Sequence, residues 1–115
     1  MSQFPEDQIA ELRKLSPDLM QGTEAGVTYF LLPQFELPAG CTPGRTDVLL
    51  CPTPRDGYES RVFFAAQISS GKPLNWNHVN VRILERNWSA YSWKVNHRAG
   101  LRLAQILLAH LQALR

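Results

Sequence analysis

The sequence predicts an α+β domain: an N-terminal helix, a four-stranded antiparallel meander, a long irregular crossover and a C-terminal helix. Three observations predict it. Apolar residues recur at helical spacing near both ends of the chain. Between them lie short β-branched and aromatic runs, separated by Pro- and Gly-containing breaks. The remaining stretch, residues 75–93, reads NWNHVNVRILERNWSAYSW and follows neither period.

The first helix covers residues 4–15. Pro5 suits the first helical position, and Glu6 and Asp7 favour the positive end of the helix dipole. Ile9, Leu12 and Leu15 form a narrow apolar stripe, Arg13 and Lys14 occupy the last turn, and Ser16-Pro17 stops the helix. Residues 18–35 read as a hairpin, with strands over 19–23 and 27–32. Its turn is Glu24-Ala25-Gly26, where Gly26 can take a positive φ. Residues 33–43 contain Pro33, Pro38, Gly40 and Pro43 and read as an extended connection. A third strand spans 46–51, TDVLLC, and is ended by Pro52-Thr53-Pro54. Arg55-Asp56-Gly57-Tyr58 has the composition of a turn, and a fourth strand spans 61–68, RVFFAAQI. Consecutive strands joined this way pair antiparallel. Asn96 is the expected N-cap of a helix over 97–114. Its wide apolar face, which includes Leu101, Ala104, Leu107 and Leu111, should pack across the sheet.

The totals fit one domain over residues 1–115. A hydrophobic fraction of 44% is enough to bury a core without staples. The net charge of +2, from 12 basic and 10 acidic residues, is too near balance to imply nucleic acid or an anionic membrane. Cys41 and Cys51 match no metal-ligand spacing, and two cysteines do not make a secreted disulfide framework, so a reducing cytoplasm is expected. No leader-like pattern opens the chain, and no apolar run approaches the length of a membrane span. No cofactor or metal is expected.

Residues 75–93 hold all three tryptophans, Trp76, Trp88 and Trp93, with His78-Val79-Asn80, Ser89 and Ser92. A long polar and aromatic segment between regular elements is a natural place for chemistry or recognition. Packing alone can also explain the tryptophans. Trp93 is expected to be buried, anchoring the crossover on the last helix near Leu101 or Ala104. Trp76, Trp88, Tyr91 and Trp93 lie beside Arg82, Arg86, Lys94 and Arg98, a mixture that can stack bases and hold phosphates. The balanced overall charge and the interrupting Glu85 argue against a nucleic-acid module, which stays as the distant alternative.

The order of elements resembles the ubiquitin-conjugating (E2, UBC-like) core. Residues 30–40, FLLPQFELPAG, then 47–51, DVLLC, then 52–58, look like the strand–loop–strand–proline-loop passage of the bacterial family called prokaryotic E2 family E. The string NWSAYSWKVNHRAGLRLAQILLAHL, from residue 87 on, resembles the tryptophan-flanked segment ahead of that family's last helix. His78-Val79-Asn80 is similar to the His-Pro-Asn motif with its proline replaced. The resemblance covers roughly residues 4–114.

That resemblance implies a partner set: an E1-like activating enzyme, a ubiquitin-like protein and a metal-dependent deconjugating protease, with a part in phage defence. It implies that the first helix contacts the activating enzyme, here through Glu6, Arg13 and Lys14. It also implies a thioester-forming cysteine about ten residues after the His-Pro-Asn motif, yet no cysteine lies between His78 and Trp93. Ser89 falls eleven residues after His78, with Ser92 close behind. A serine can carry an acyl group as an oxyester if a base takes its proton. Ser89 is the first candidate and Ser92 the second. Asn80 is the implied oxyanion partner, and His78 or His97 is the nearby imidazole for a base, although His78 more simply supports the loop and His97 the start of the last helix. Two readings stay open: an acyl carrier in a ubiquitin-like conjugation pathway, or an E2-variant adaptor that docks its partners and has no nucleophile.

Overall fold

The computed structural model describes residues 4–95 and 100–114. Among them the elements run α1 (Glu6–Leu15), β1 (Met20–Glu24), β2 (Val27–Glu36), β3 (Arg45–Cys51), β4 (Arg61–Phe64), β5 (His78–Ile83), β6 (Arg86–Ala90) and α2 (Leu103–Leu111), with a 3-10 turn over Gln112–Leu114. All strand pairs are antiparallel, and the six strands form one sheet in the order β1-β2-β3-β4-β6-β5. The α+β class, the flanking helices and the first four strands agree with the sequence reading. The irregular crossover does not. It contains the β5–β6 hairpin, which extends the sheet beyond β4 and curls it into a half-barrel.

Two local features hid this hairpin. A β-bulge between His78 and Val81, with Asn80 at φ +55°, breaks the alternation that marks a strand. Val81 and Ile83 turn inward only after the bulge has reset the phase. The turn itself, Leu84-Glu85, has positive φ at both residues, 51° and 66°, in place of the usual Asn-Gly. Glu85→Gly is therefore expected to raise stability by about 0.5–1 kcal/mol, because an L-residue in the left-handed region is strained. A urea midpoint that falls or stays fixed would count against that account. Leu84 has a reason to be there: its side chain lies over Gly22 of β1, where a Cβ would meet Leu84 Cδ1 at 2.9 Å. The Leu84 amide donates to Glu24 Oε1 at 2.9 Å. The hairpin tip thus reaches the far edge of the sheet.

The curl explains the continuous apolar runs of β2 to β4. Alternate residues feed two cores. Phe30, Leu32, Val48, Leu50, Val62 and Phe64 face the helices, together with Leu12, Leu103 and Leu107. Tyr29, Leu49, Cys51 and Phe63 face the other way, where Ile83, Trp88 and Ala90 cover them. Both faces are buried, so both sets of positions are apolar.

Element bounds differ where breakers behave unexpectedly. β2 runs on through Pro33 to Glu36, because a bulge between Leu32 and Phe35 accommodates a residue that cannot donate. β4 ends at Phe64 rather than 68. The last helix begins at Leu103, after Gly100 at φ +65° and an extended Arg102. The proposed cap Asn96 and residues 97–99 lie outside the described residues. Gln105 Oε1 accepts from the Arg102 amide at 2.8 Å, and Gln8 Oε1 of α1 accepts from the Leu103 amide at 3.1 Å, so side chains satisfy the start of α2. The Arg102 guanidinium binds Glu11 and Asp7, which joins the two helices. That hydrogen bond holds the Asp7 carboxyl below its usual range.

Candidate functional site

A polar cluster forms where the loop after β3, the start of β4, the start of β5 and the segment after β6 meet. It is organised by Arg61, the first residue of β4, which is only 2% exposed. A buried guanidinium must have its hydrogens satisfied. Arg61 Nη2 donates to Asn77 Oδ1 at 2.8 Å and to the Tyr91 carbonyl at 3.0 Å. Arg61 Nη1 lies 2.7 Å from His78 Nδ1 and 3.4 Å from Asp56 Oδ2. The Tyr58 ring covers the guanidinium, 4.3 Å from ring centroid to Cζ. Burial pulls the Arg61 pKa down, and the charges of Tyr58 and Asp56 act against that.

Local sequence explains how these groups meet. In the turn at 55–58, Arg55 and Tyr58 exchange backbone hydrogen bonds of 2.9 Å, and Asp56 and Gly57 both take positive φ. The turn read from the sequence is therefore present, and it delivers Tyr58. Trp76 packs edge-on against Phe64 and Tyr91, which pins the 75–77 stretch to the core. The Ser92 amide donates to the Asn75 carbonyl at 2.7 Å, which sets Ser92 beside that stretch. Ser92 Oγ then lies 2.8 Å from the Tyr58 hydroxyl, and Asn77 Nδ2 donates to the same hydroxyl at 3.0 Å.

Arginine can only donate, and that fixes its partners. Asn77 must present its oxygen to Arg61 and its amide hydrogens to Tyr58. His78 Nδ1 must accept, so the proton of the neutral ring sits on Nε2. The Nδ1 lone pair a base would use is taken by Arg61. The hydrogen bond with Ser92, despite slight desolvation, and then that from Asn77 and the charges of Arg61 and Lys94 lower the Tyr58 phenol pKa.

The structure thus joins Ser92 to His78 through Tyr58, Asn77 and Arg61. It does not bring Ser89 or Asn80 into this network. Ser89 sits half-buried on β6 opposite Phe64, and Asn80 is exposed on the β5 bulge. Neither makes a side-chain hydrogen bond among the described residues. The sequence reading missed Tyr58, Asn77 and Arg61. Arg61 left one signal: a charge heading the apolar run VFF.

The thiols are poorly placed for chemistry. Cys51 is fully buried, and its hydrogen points to the Thr53 carbonyl at 3.5 Å. Burial pushes both the Cys51 and Cys41 thiols above their ordinary pKa. On α1, Glu6, Arg13 and Lys14 are exposed, and none forms an ion pair among the described residues.

The tryptophans divide differently from expectation. Trp88 is 2% exposed in the curled core, with Nε1 donating to the Ile83 carbonyl at 3.1 Å. Trp93, expected to be buried, is 39% exposed. Its Nε1 donates to the Ala109 carbonyl at 3.0 Å, further along α2 than Leu101 or Ala104. It sits at the rim because the chain leaves the sheet after Ala90, with Tyr91 taking the buried position.

A cleft of about 300 Å³ opens beside the cluster, lined by Ser92, Trp93, Leu74, Asn75, Ala113 and Lys72. A larger cavity of about 520 Å³ lies between the end of α1 and the β2 bulge, remote from the cluster. Among the described residues no group of three or more His, Cys, Asp or Glu could hold a metal ion, and no helix is long and apolar enough to cross a membrane. No protein-family model, curated protein or solved structure matches this chain.

Proposed function

We propose that the chain is an E2-like docking component of a ubiquitin-like protein conjugation pathway, holding the activating enzyme and the ubiquitin-like protein without forming a thioester itself. Its frame would be a UBC-like core in which β5 and β6 extend the meander. The order of helix, hairpin and two further strands supports that reading, as does the resemblance of residues 30–58 and 87–111.

The observation that carries the docking function, as against thioester transfer, is the state of the two thiols. A transferring cysteine needs an accessible thiolate; Cys51 is fully buried, Cys41 is only partly exposed, and burial disfavours the thiolate at both. The docking face is the exposed side of α1. Asp7 and Glu11 are drawn to Arg102, whereas Arg13 and Lys14 at the far end are exposed, have no ion pair among the described residues, and suit an acidic partner surface.

Mixing the chain with a cognate activating enzyme, ATP and ubiquitin-like protein should give a complex on gel filtration and no reductant-sensitive adduct. Arg13→Glu combined with Lys14→Glu should weaken that complex about tenfold while the thermal midpoint stays unchanged. Unaltered binding removes α1 as the contact. A reductant-sensitive adduct that disappears with Cys41→Ala would overturn the docking reading in favour of thioester transfer.

A further inference from the structure

Ser92 is the exposed hydroxyl of the cluster, and it has both a partner and a cavity. Its Oγ is 2.8 Å from the Tyr58 oxygen, and the residue lines the 300 Å³ cleft. The groups around Tyr58 favour its phenolate form over that of a free phenol. Asn77, with its orientation fixed by Arg61, aims an N–H at the phenol oxygen at 3.0 Å. The Arg61 guanidinium lies beneath the ring at 4.3 Å and is held there by His78, Asp56 and the Tyr91 carbonyl. Lys94 adds a second positive charge from the segment after β6. A neutral phenol can donate to Ser92 while accepting from Asn77, but its uncharged oxygen gains nothing from the two cations. A phenolate accepts from both Asn77 and Ser92 and faces two cations.

We infer that Ser92 is a nucleophile, that Tyr58 is the base that takes its proton, and that the substrate is an activated acyl group, an ester or thioester, seated in the adjoining cleft. In the forward step Ser92 Oγ bonds to the carbonyl carbon and its proton passes to the Tyr58 oxygen. Collapse breaks the bond to the leaving group, which departs as an alcohol or thiol after taking that proton. Acyl-Ser92 remains, and water activated by the same phenolate releases the acid and restores the hydroxyl. No oxidant or cofactor enters. Leu74, Trp93 and Ala113 give the cleft an apolar wall for the acyl chain, and Lys72 places a positive charge at its edge. Arg61 and Asn77 are positioning residues. This chemistry is independent of whether α1 docks an activating enzyme.

A fluorophosphonate probe on the intact chain tests it. The Oγ–phosphorus bond forms, fluoride leaves, and the serine proton goes through Tyr58 to water. One label is expected at Ser92, located by fragmenting the tryptic peptide spanning residues 87–94. The labelling rate should rise with pH through a value below that of an ordinary phenol, since Arg61, Lys94, Asn77 and Ser92 all favour the phenolate. Tyr58→Phe keeps the ring over Arg61. It should slow labelling about 100-fold and abolish that pH limb, with circular dichroism unchanged. Absence of label, label at Ser89, label persisting in Ser92→Ala, or an unchanged pH profile in Tyr58→Phe would overturn the assignment.

Discussion

Arg61→Ala should unfold more of this domain's stability than any other polar substitution, by about 3–5 kcal/mol. The side chain is 2% exposed and bridges Asp56, Asn77, His78 and the Tyr91 carbonyl. Its removal leaves the Tyr91 carbonyl without that donor and opens a void beneath the Tyr58 ring. Arg61→Lys is not a rescue. An ammonium has no planar fork, so it cannot meet Asn77, His78 and the Tyr91 carbonyl together, and most of the loss should persist. Urea unfolding followed by tryptophan emission measures both variants. A loss under about 1 kcal/mol in Arg61→Ala would mean that water replaces the guanidinium at little cost. It would also mean that Arg61 does not organise the cluster.

Trp88→Ala should cost about 3–5 kcal/mol, whereas Trp93→Ala should cost about 1 kcal/mol. The two residues look equivalent in the string NWSAYSW. Trp88 fills the core enclosed by the curled sheet, beside Ile83, Leu49 and Phe63, and its indole N–H has the Ile83 carbonyl as partner. Truncation leaves a cavity that the curled sheet cannot readily collapse around. Trp93 lies at the rim of the cleft with 39% of its surface in water, and it loses chiefly the hydrogen bond to Ala109. Chemical denaturation with matched slopes compares them directly. Equal losses would contradict the half-barrel, because they would place both rings at the same depth.

The sequence by itself determined the parts governed by local rules. The stripe Ile9, Leu12 and Leu15, of which Leu15 proves 40% exposed at the helix end, and the stop at Ser16-Pro17 specified α1 to within two residues, since a helix face and a proline boundary need no distant partner. The Ala25-Gly26 turn and the paired order β1-β2-β3-β4 followed from positive-φ chemistry and short connections. The turn at 55–58 was legible for the same reason. The candidate serines were also visible as residues, though not that Ser92 rather than Ser89 joins the Arg61 cluster.

Tertiary structure decided the rest. The bulge at Asn80 and the Leu84-Glu85 turn are stable only because Leu84 rests on Gly22 and Glu24 caps the Leu84 amide, contacts across some sixty residues. No local pattern encodes them, so β5 and β6 read as irregular chain. The runs VLLC and VFF showed strong burial but not what covered their second face; the hairpin supplies that cover. The cluster is of the same kind. Tyr58 with Arg61, Asn77 and Ser92 come from three separate stretches, and their meeting depends on Trp76 entering the core and on Ser92 pairing with Asn75. A buried arginine is tolerable only when distant groups converge on it, and that convergence is a property of the folded chain, not of any segment of it.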